Sequence, residues 1–454
     1  MPSRRTIVDT DQTVENLSRI DHIVVLMLEN RSFDHMLGYL KLEAGLPVDG
    51  LEASMANKHS GKTYRVHHLK STKLTADQDP PHRAADVKEQ LASSNGGFVA
   101  NYARNNVRDP DPGTVMGYYN GTDLPVYDHL AREYAVCDRW FSSVPGPTWP
   151  NRLYAACGRA ARSKDNRWPP LYEVPSFIRH LDRAKVSWRW YAHEYVATLR
   201  LIDDSYRFSL SRMNFRYFNR RTAALGRSFL EHAAAGDLPS VSWIDPNFVD
   251  FDLLGPAGSN DDHPPSDVKA GQQLVLALYT ALASSPTWSN TLLVITYDEH
   301  GGFFDHVPPP AAKDSSSAFR SYGPRVPALV VSPWIARGTV SSELYDHTTI
   351  LKTILLRFCR SADGSIPNMG VRVENANHLG GLLTRRTARA APKPRALRPL
   401  IKLTSQWQSD ELEDKLLTQA KGRPPREVEL NELQEGYLKA KDKLRRDGVP
   451  AGMP

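Results

Sequence analysis

HIVVLMLENRSFDH, His22 to His35, is the stretch on which the fold turns. From Ile23 to Leu28 it is apolar and β-branched without alternation, the pattern of a strand covered on both faces, and Glu29 ends the run. Three further runs read the same way: Val241 to Ile244, Leu292 to Tyr297 (LLVITY) and Val326 to Val331 (VPALVV). Helical periods lie between them. The longest is Ser266 to Ala283, where Val268, Val275, Leu278 and Leu282 recur behind a Ser266 N-cap. Val126 to Tyr134, Pro175 to Asp182, Ala223 to Ala235 and Thr348 to Phe358 read as further helices. Strand and helix alternate, which predicts the α/β class with a mostly parallel central sheet and helices on both faces.

Composition narrows the function classes. The 454 residues carry 57 Lys+Arg against 51 Asp+Glu, a formal charge of +6, with 41% hydrophobic and 24% charged residues. These are the proportions of a globular chain, not of a disordered, collagenous or coiled-coil one. No apolar run nears the roughly 18 residues of a membrane span. Basic residues are spread along the chain without a recognised binding motif, so no nucleic-acid partner is expected. Cys137, Cys157 and Cys359 are too few and scattered for a disulfide framework and read as small apolar groups. The first twenty residues hold no apolar leader core, which predicts a cytoplasmic protein; removal of a leader would leave the same text and a secreted or periplasmic one. Residues 95–121 and 162–170 lack a period and read as long surface loops. After Ala390 a Lys/Arg/Pro stretch leads to two polar helix-prone segments, Ser409 to Gln419 and Val428 to Arg446. Residues 1–390 are therefore expected to be the catalytic domain and 391–454 a C-terminal helical extension without a core of its own.

The chemistry-bearing residues gather where strands end. Glu29 and Asn30 follow the first strand, at the edge where open α/β sheets bind ligands. A carboxylate beside an amide oxygen suits a divalent cation that prefers oxygen donors; a solvated turn into a helix is the plain alternative. LLVITY runs into Asp298, Glu299 and His300 and then two glycines, in YDEHGGFFDHVPPP. Adjacent carboxylates at a strand end repel each other, and a metal ion between them offsets that cost. In PGPTWPNR, Thr148 precedes Pro150, which suits a first helical turn. A hydroxyl there lies at the positive end of the helix dipole, among amides that bind phosphate, although alone it reads as an N-cap. His82 in DPPHR, Asp262 and His263 in NDDHPP and His347 in YDHTT each read alone as core or surface residues; together they offer a proton donor to a leaving alkoxide, cations for a phosphate or ligands of a second metal. Asp245, at the same sheet edge and before Pro246, reads as a turn former, with an orienter of the site residues as the other reading. Trp188, Trp190, Tyr191 and Tyr195 read as strand and core packing, with a cation–π wall for a cationic group as the other reading.

ENRSFDH, TWPNR and YDEHGGFFDHV, with DPPHR, DDHPP and YDHTT in the same order, resemble the bacterial phosphoesterases that include phosphatidylcholine-type phospholipases C and a respiratory-burst-inhibiting acid phosphatase. The resemblance spans roughly residues 20 to 360 and implies an alkaline-phosphatase-like core. It implies Glu29, Asn30, Asp298 and Glu299 as metal ligands, and Thr148 as both nucleophile and ligand. His82, His263 and His347 would then be catalytic, with Asp262 and Arg152 on the substrate. The ion would be Ca, Mn, Fe or Zn, and the substrate a phospholipid or small phosphoester, with peripheral contact to a membrane admitted. A threonine nucleophile is the form found in the phospholipases C and points to diesters; a broad phosphomonoesterase is the alternative.

Overall fold

Neither face of the first strand reaches solvent: every residue from Ile23 to Leu28 is buried. The computed structural model describes residues 10–192, 197–208, 213–215, 227–249, 259–420 and 430–447. Its central sheet has eight strands: β1 (His22–Leu28), β2 (Ala135–Cys137), β3 (Trp188–Ala192), β4 (Met213–Phe215), β5 (Val241–Ile244), β6 (Thr291–Tyr297), β7 (Ala328–Val331) and β8 (Thr339–Ser341), in the order β8-β2-β7-β6-β1-β5-β3-β4. β1 lies between β5 and β6, parallel to both. β7 runs antiparallel to its neighbours β6 and β2. The ladder of β7 opens at Ala328, later than the VPALVV run suggests, because Pro327 has no N–H to donate.

The flanking helices include α1 (Phe33–Leu37), α2 (Phe98–Asn105), α3 (Pro125–Glu133), α4 (Thr148–Cys157), α5 (Phe229–Ala235), α6 (Val268–Ala283), α7 (Thr348–Phe358), α8 (Pro394–Ala420) and α9 (Glu432–Arg446). The mostly parallel α/β reading holds. Some boundaries move for identifiable reasons. α6 is capped by Asp267, which accepts from Lys269 N at 2.9 Å, because the Ser266 hydroxyl is spent on Asp261 Oδ1 at 2.9 Å. The expected loop 95–121 contains α2, whose Phe98, Val99 and Tyr102 are buried against the core, as well as the 3-10 turn Pro112–Met116. The helix expected at Pro175 begins at Ile178. α5 begins behind a Ser228/Glu231 capping box, and the start expected at Ala223 falls outside the described residues.

At the C-terminal end, α8 begins at Pro394, well before Ser409. It lies along α6, with Gln273 Nε2 donating to the Thr404 carbonyl at 2.9 Å. α9 buries Leu433, Tyr437, Ala440 and Leu444 in one cluster with Trp149 and Leu153 of α4. The extension thus shares a core with the helix that begins at Thr148. No helix among the described residues is long and apolar enough to cross a membrane. Cys137 and Cys157 are buried free thiols.

Candidate active site

The register of the parallel strands builds the site. Leu28 pairs with Tyr297, so Glu29 and Asp298 leave the sheet side by side, and β5 delivers Asp245 one strand away. The ends of β1 and β6 are then tied to each other, and β1 to the loop at Asp261, through backbone groups. Asp298 N donates to Leu28 O at 3.1 Å, Glu29 N to Asp261 O at 2.8 Å and Arg31 N to Glu299 O at 3.1 Å. Asp298 Oδ1 accepts from Glu299 N at 2.7 Å and Asn30 N at 3.3 Å. Asn30 holds φ at +54°, a left-handed conformation that asparagine tolerates. Gly301, with φ at +62°, passes so near that a Cβ there would lie 2.1 Å from Asn30 O. Only glycine satisfies both demands.

Glu29, Asn30, Asp298 and Glu299 are all fully buried. Burial raises the Glu29 carboxyl well above its ordinary range, against the pull of Arg152. Burial, with Asp298 beside it, pushes Glu299 up to about 8 against His82. Asn30 Oδ1 and Glu299 Oε1 accept no hydrogen bond although both are buried. The unpartnered oxygens of Asn30 and Glu299 are donors that a hard or borderline divalent cation satisfies, so these two residues fit such an ion. The oxygens of Glu29 and Asp298 already accept from Arg152, Thr148 and backbone N–H groups.

Thr148 is the first residue of α4 and does not cap it: Pro147 occupies that position, and Asn166 Oδ1 takes the Trp149 N–H at 3.0 Å. The Thr148 hydroxyl instead donates to Glu29 Oε2 at 3.3 Å. His263 Nε2 lies 2.9 Å from Asn30 Nδ2, and its Nδ1 lies 3.8 Å from Glu29 Oε2. His82 Nε2 lies 3.2 Å from Asn30 Nδ2 and 3.7 Å from Glu299 Oε1, while its Nδ1 donates to Pro80 O at 2.9 Å. Burial alone would lower His82, but Glu299 and Asp79 outweigh it and hold the imidazole at about 9. The expected residues Glu29, Asn30, His82, Thr148, His263, Asp298 and Glu299 thus converge.

Three expected residues sit differently. Asp262 does not face this space. With φ at +74° it turns its carboxylate to the Tyr297 hydroxyl and against Gly271, where burial pushes it up to about 8. Arg152, also expected on the substrate, lies under the carboxylates. Its Nε donates to Glu29 Oε1 at 2.9 Å and Asp298 Oδ2 at 3.3 Å, and its Nη2 to Met27 O at 3.1 Å. His347 Nε2 donates to Asp298 O at 2.6 Å and its Nδ1 faces Trp140 Nε1 at 3.4 Å, so both ring nitrogens are held by the protein.

Two carboxylates escaped the sequence reading. Asp79, the first residue of DPPHR, lies 3.1 Å from His263 Nε2 through Oδ2. Asp261 accepts from His263 N at 3.1 Å. Both stand beside motif residues, which was the available signal. Asp245 is no turn former: it is buried and accepts from Trp190 Nε1, Thr198 N and Thr198 Oγ1, each at 2.8 Å. Trp190 stacks on Trp243 with centroids 4.9 Å apart, and Trp188 and Tyr191 are buried beside it, so these aromatics are packing; Tyr195 lies outside the described residues. A second ligand-type cluster, Asp34, Asp305 and His306, is already balanced. Arg325 donates to Asp34 Oδ1 at 3.0 Å and Asp305 Oδ1 at 2.9 Å, and His306 Nδ1 lies 2.7 Å from Asp34 Oδ2.

The sequence pattern of the phosphoesterase family matches residues 20–359. Non-specific phospholipase C6 of Arabidopsis thaliana is 36% identical over 376 residues, covering 76% of this chain and 69% of that protein. Phospholipase C B of Mycobacterium tuberculosis is 31% identical over 400 residues, 76% and 74% of the two chains. Among solved structures, an alkaline phosphatase superfamily protein from Vibrio parahaemolyticus aligns over 77% of this chain and 75% of its own, at 11% identity and a TM-score of 0.34. With the family's pattern spanning every strand from β1 to β8, the chain belongs to the phosphoesterase family, whose members hydrolyse phosphoric esters.

Proposed function

We propose that this chain is a metal-dependent phospholipase C that cleaves phosphodiesters of the phosphatidylcholine type with Thr148 as nucleophile. The observation that carries the reading is the Thr148 hydroxyl, first on a helix and not used as a cap, donating to a buried carboxylate beside the unpartnered oxygens of Asn30 and Glu299. Relatives at 31–36% identity that bear the name phospholipase C support the diester class.

Glu29, Asn30, Asp298 and Glu299 would hold the ion, with Thr148 alongside. When bound, the ion acts as a Lewis acid and neutralises charge on the phosphoryl oxygens. Thr148 Oγ1 attacks phosphorus as its proton passes to Glu29 Oε2, and the bond to the leaving alcohol breaks. His263, with His82 beside it, gives the proton to the departing oxygen. Water then hydrolyses the phosphothreonine. Arg152, locked to backbone carbonyls beneath the carboxylates, keeps a fixed positive charge there, and His347 keeps the Asp298 backbone in place.

Hydrolysis of p-nitrophenylphosphorylcholine beside p-nitrophenyl phosphate, before and after EDTA and with Mn, Ca, Fe or Zn returned in turn, tests this reading. Faster cleavage of the choline diester, stopped by EDTA, is expected. Turnover of the monoester alone would make the enzyme a phosphomonoesterase.

A further inference from the structure

α9 lies beyond the residues that match the family, yet its contacts converge on neighbours of the site. The Tyr437 ring stacks on Phe248 with centroids 5.0 Å apart and planes 22° from parallel, and lies 5.9 Å from the ring of Trp149. Phe248 in turn lies 5.0 Å from the Arg152 guanidinium, the cation that holds Glu29 and Asp298. Gln434, fully buried, donates to the Phe248 carbonyl at 3.0 Å. Asn431 Nδ2 donates at 3.2 Å to the carbonyl of Pro264, the residue after His263. The same two side chains cap the helix. Asn431 Oδ1 accepts from Gln434 N at 2.9 Å, and Gln434 Oε1 from Asn431 N at 3.1 Å. Each amide therefore spends its oxygen on the helix and its NH2 on a neighbour of the site: Gln434 on Phe248, which faces Arg152, and Asn431 on Pro264, which follows His263.

We propose that α9 is a positioning element of the active site: Tyr437 and Gln434 hold Phe248 against Arg152, and Asn431 holds Pro264 behind His263. Guanidinium groups lie favourably on aromatic faces, so the placement of Phe248 sets the placement of the buried cation. Through Arg152 the helix acts on Glu29 and Asp298, and through Pro264 on the imidazole. The proposal rests on the reading that Thr148 and the residues around it are the catalytic centre.

The test compares Tyr437→Ala, Tyr437→Phe, Gln434→Glu and Thr148→Ala in the full chain, with hydrolysis of p-nitrophenylphosphorylcholine, thermal unfolding and bound metal all measured. Gln434→Glu separates capping from tethering: a glutamate at this position still closes the capping box but has no N–H for Phe248. Tyr437→Ala and Gln434→Glu, folded at the assay temperature, should lower kcat about tenfold or more with KM changed no more than about threefold, as misplacement of a catalytic constellation does. Tyr437→Phe keeps the stacked ring and should restore kcat to within about twofold. Wild-type kcat in folded Tyr437→Ala overturns the proposal, as does a loss in Tyr437→Phe equal to that in Tyr437→Ala. If Tyr437→Ala does not fold, Gln434→Glu decides, and wild-type kcat there overturns it. An active Thr148→Ala variant would instead overturn the reading of the site itself.

Discussion

Arg152 Nε lies 2.9 Å from Glu29 Oε1, with both side chains buried and the guanidinium also anchored to the carbonyls of Met27 and Leu28. A buried carboxylate at the end of a parallel strand is thereby kept beside its neighbour Asp298 without unfolding the strand ends. Removal of one partner of such a pair leaves an uncompensated buried charge, which costs about 3–5 kcal/mol. Arg152→Met should therefore lower the stability of the metal-free protein by that order, and by less once a divalent ion is bound. Urea unfolding with and without EDTA checks it; equal losses in both states would contradict this arrangement.

Thr148→Ala should lower turnover of the choline diester by at least about 10³-fold, the scale expected when a nucleophile is removed. The other oxygen donors remain, so bound metal measured by atomic absorption should stay at the wild-type level. Near-normal turnover would remove Thr148 from the mechanism.

Metal stabilisation should grow with pH. Burial holds Glu299 protonated in the folded protein up to about 8, whereas in the unfolded chain it ionises near its ordinary 4.5. Between those values the unfolded state binds fewer protons, so the metal-free fold loses stability as pH rises through the window. A divalent ion requires the ionised carboxylate and binds more tightly over the same range. The rise in Tm on adding the activating ion should be larger at pH 8 than at pH 5. A rise independent of pH would mean that the ion does not compete with the proton on these carboxylates.

Gly301→Ala should reduce activity by about a hundredfold, because its Cβ would meet Asn30 O at 2.1 Å and shift a proposed ligand. A fully active, folded Gly301→Ala enzyme would show that the Asn30 backbone has room to move.

The strand ends were legible because their signal is local. Unbroken apolar runs ending in ENRSFDH and YDEHGG place Glu29, Asn30, Asp298 and Glu299 at one sheet edge as soon as the two strands are parallel neighbours, which they are. The nucleophile candidate was legible from its place before Pro150, and the structure removed its N-cap alternative by giving that position to Pro147. Asp262 was misread because two adjacent residues of one turn face opposite ways. Asp262 goes inward to Tyr297 while His263 goes to Asn30, and the positive φ that separates them leaves no mark in a run of NDDHPP.

By itself, then, the sequence determined the α/β class, the family and the oxygen-rich edge, since strand and helix periods and strand-end motifs are properties of neighbours along the chain. Only the tertiary structure decided that Arg152 serves the carboxylates and that Asp245 anchors Trp190 and Thr198. It also decided that α9 lies under the site, through Tyr437 on Phe248. Arg152 and Glu29 stand 123 residues apart in the chain. Which of several carboxylates a buried guanidinium meets depends on packing between distant segments, and no local period encodes it.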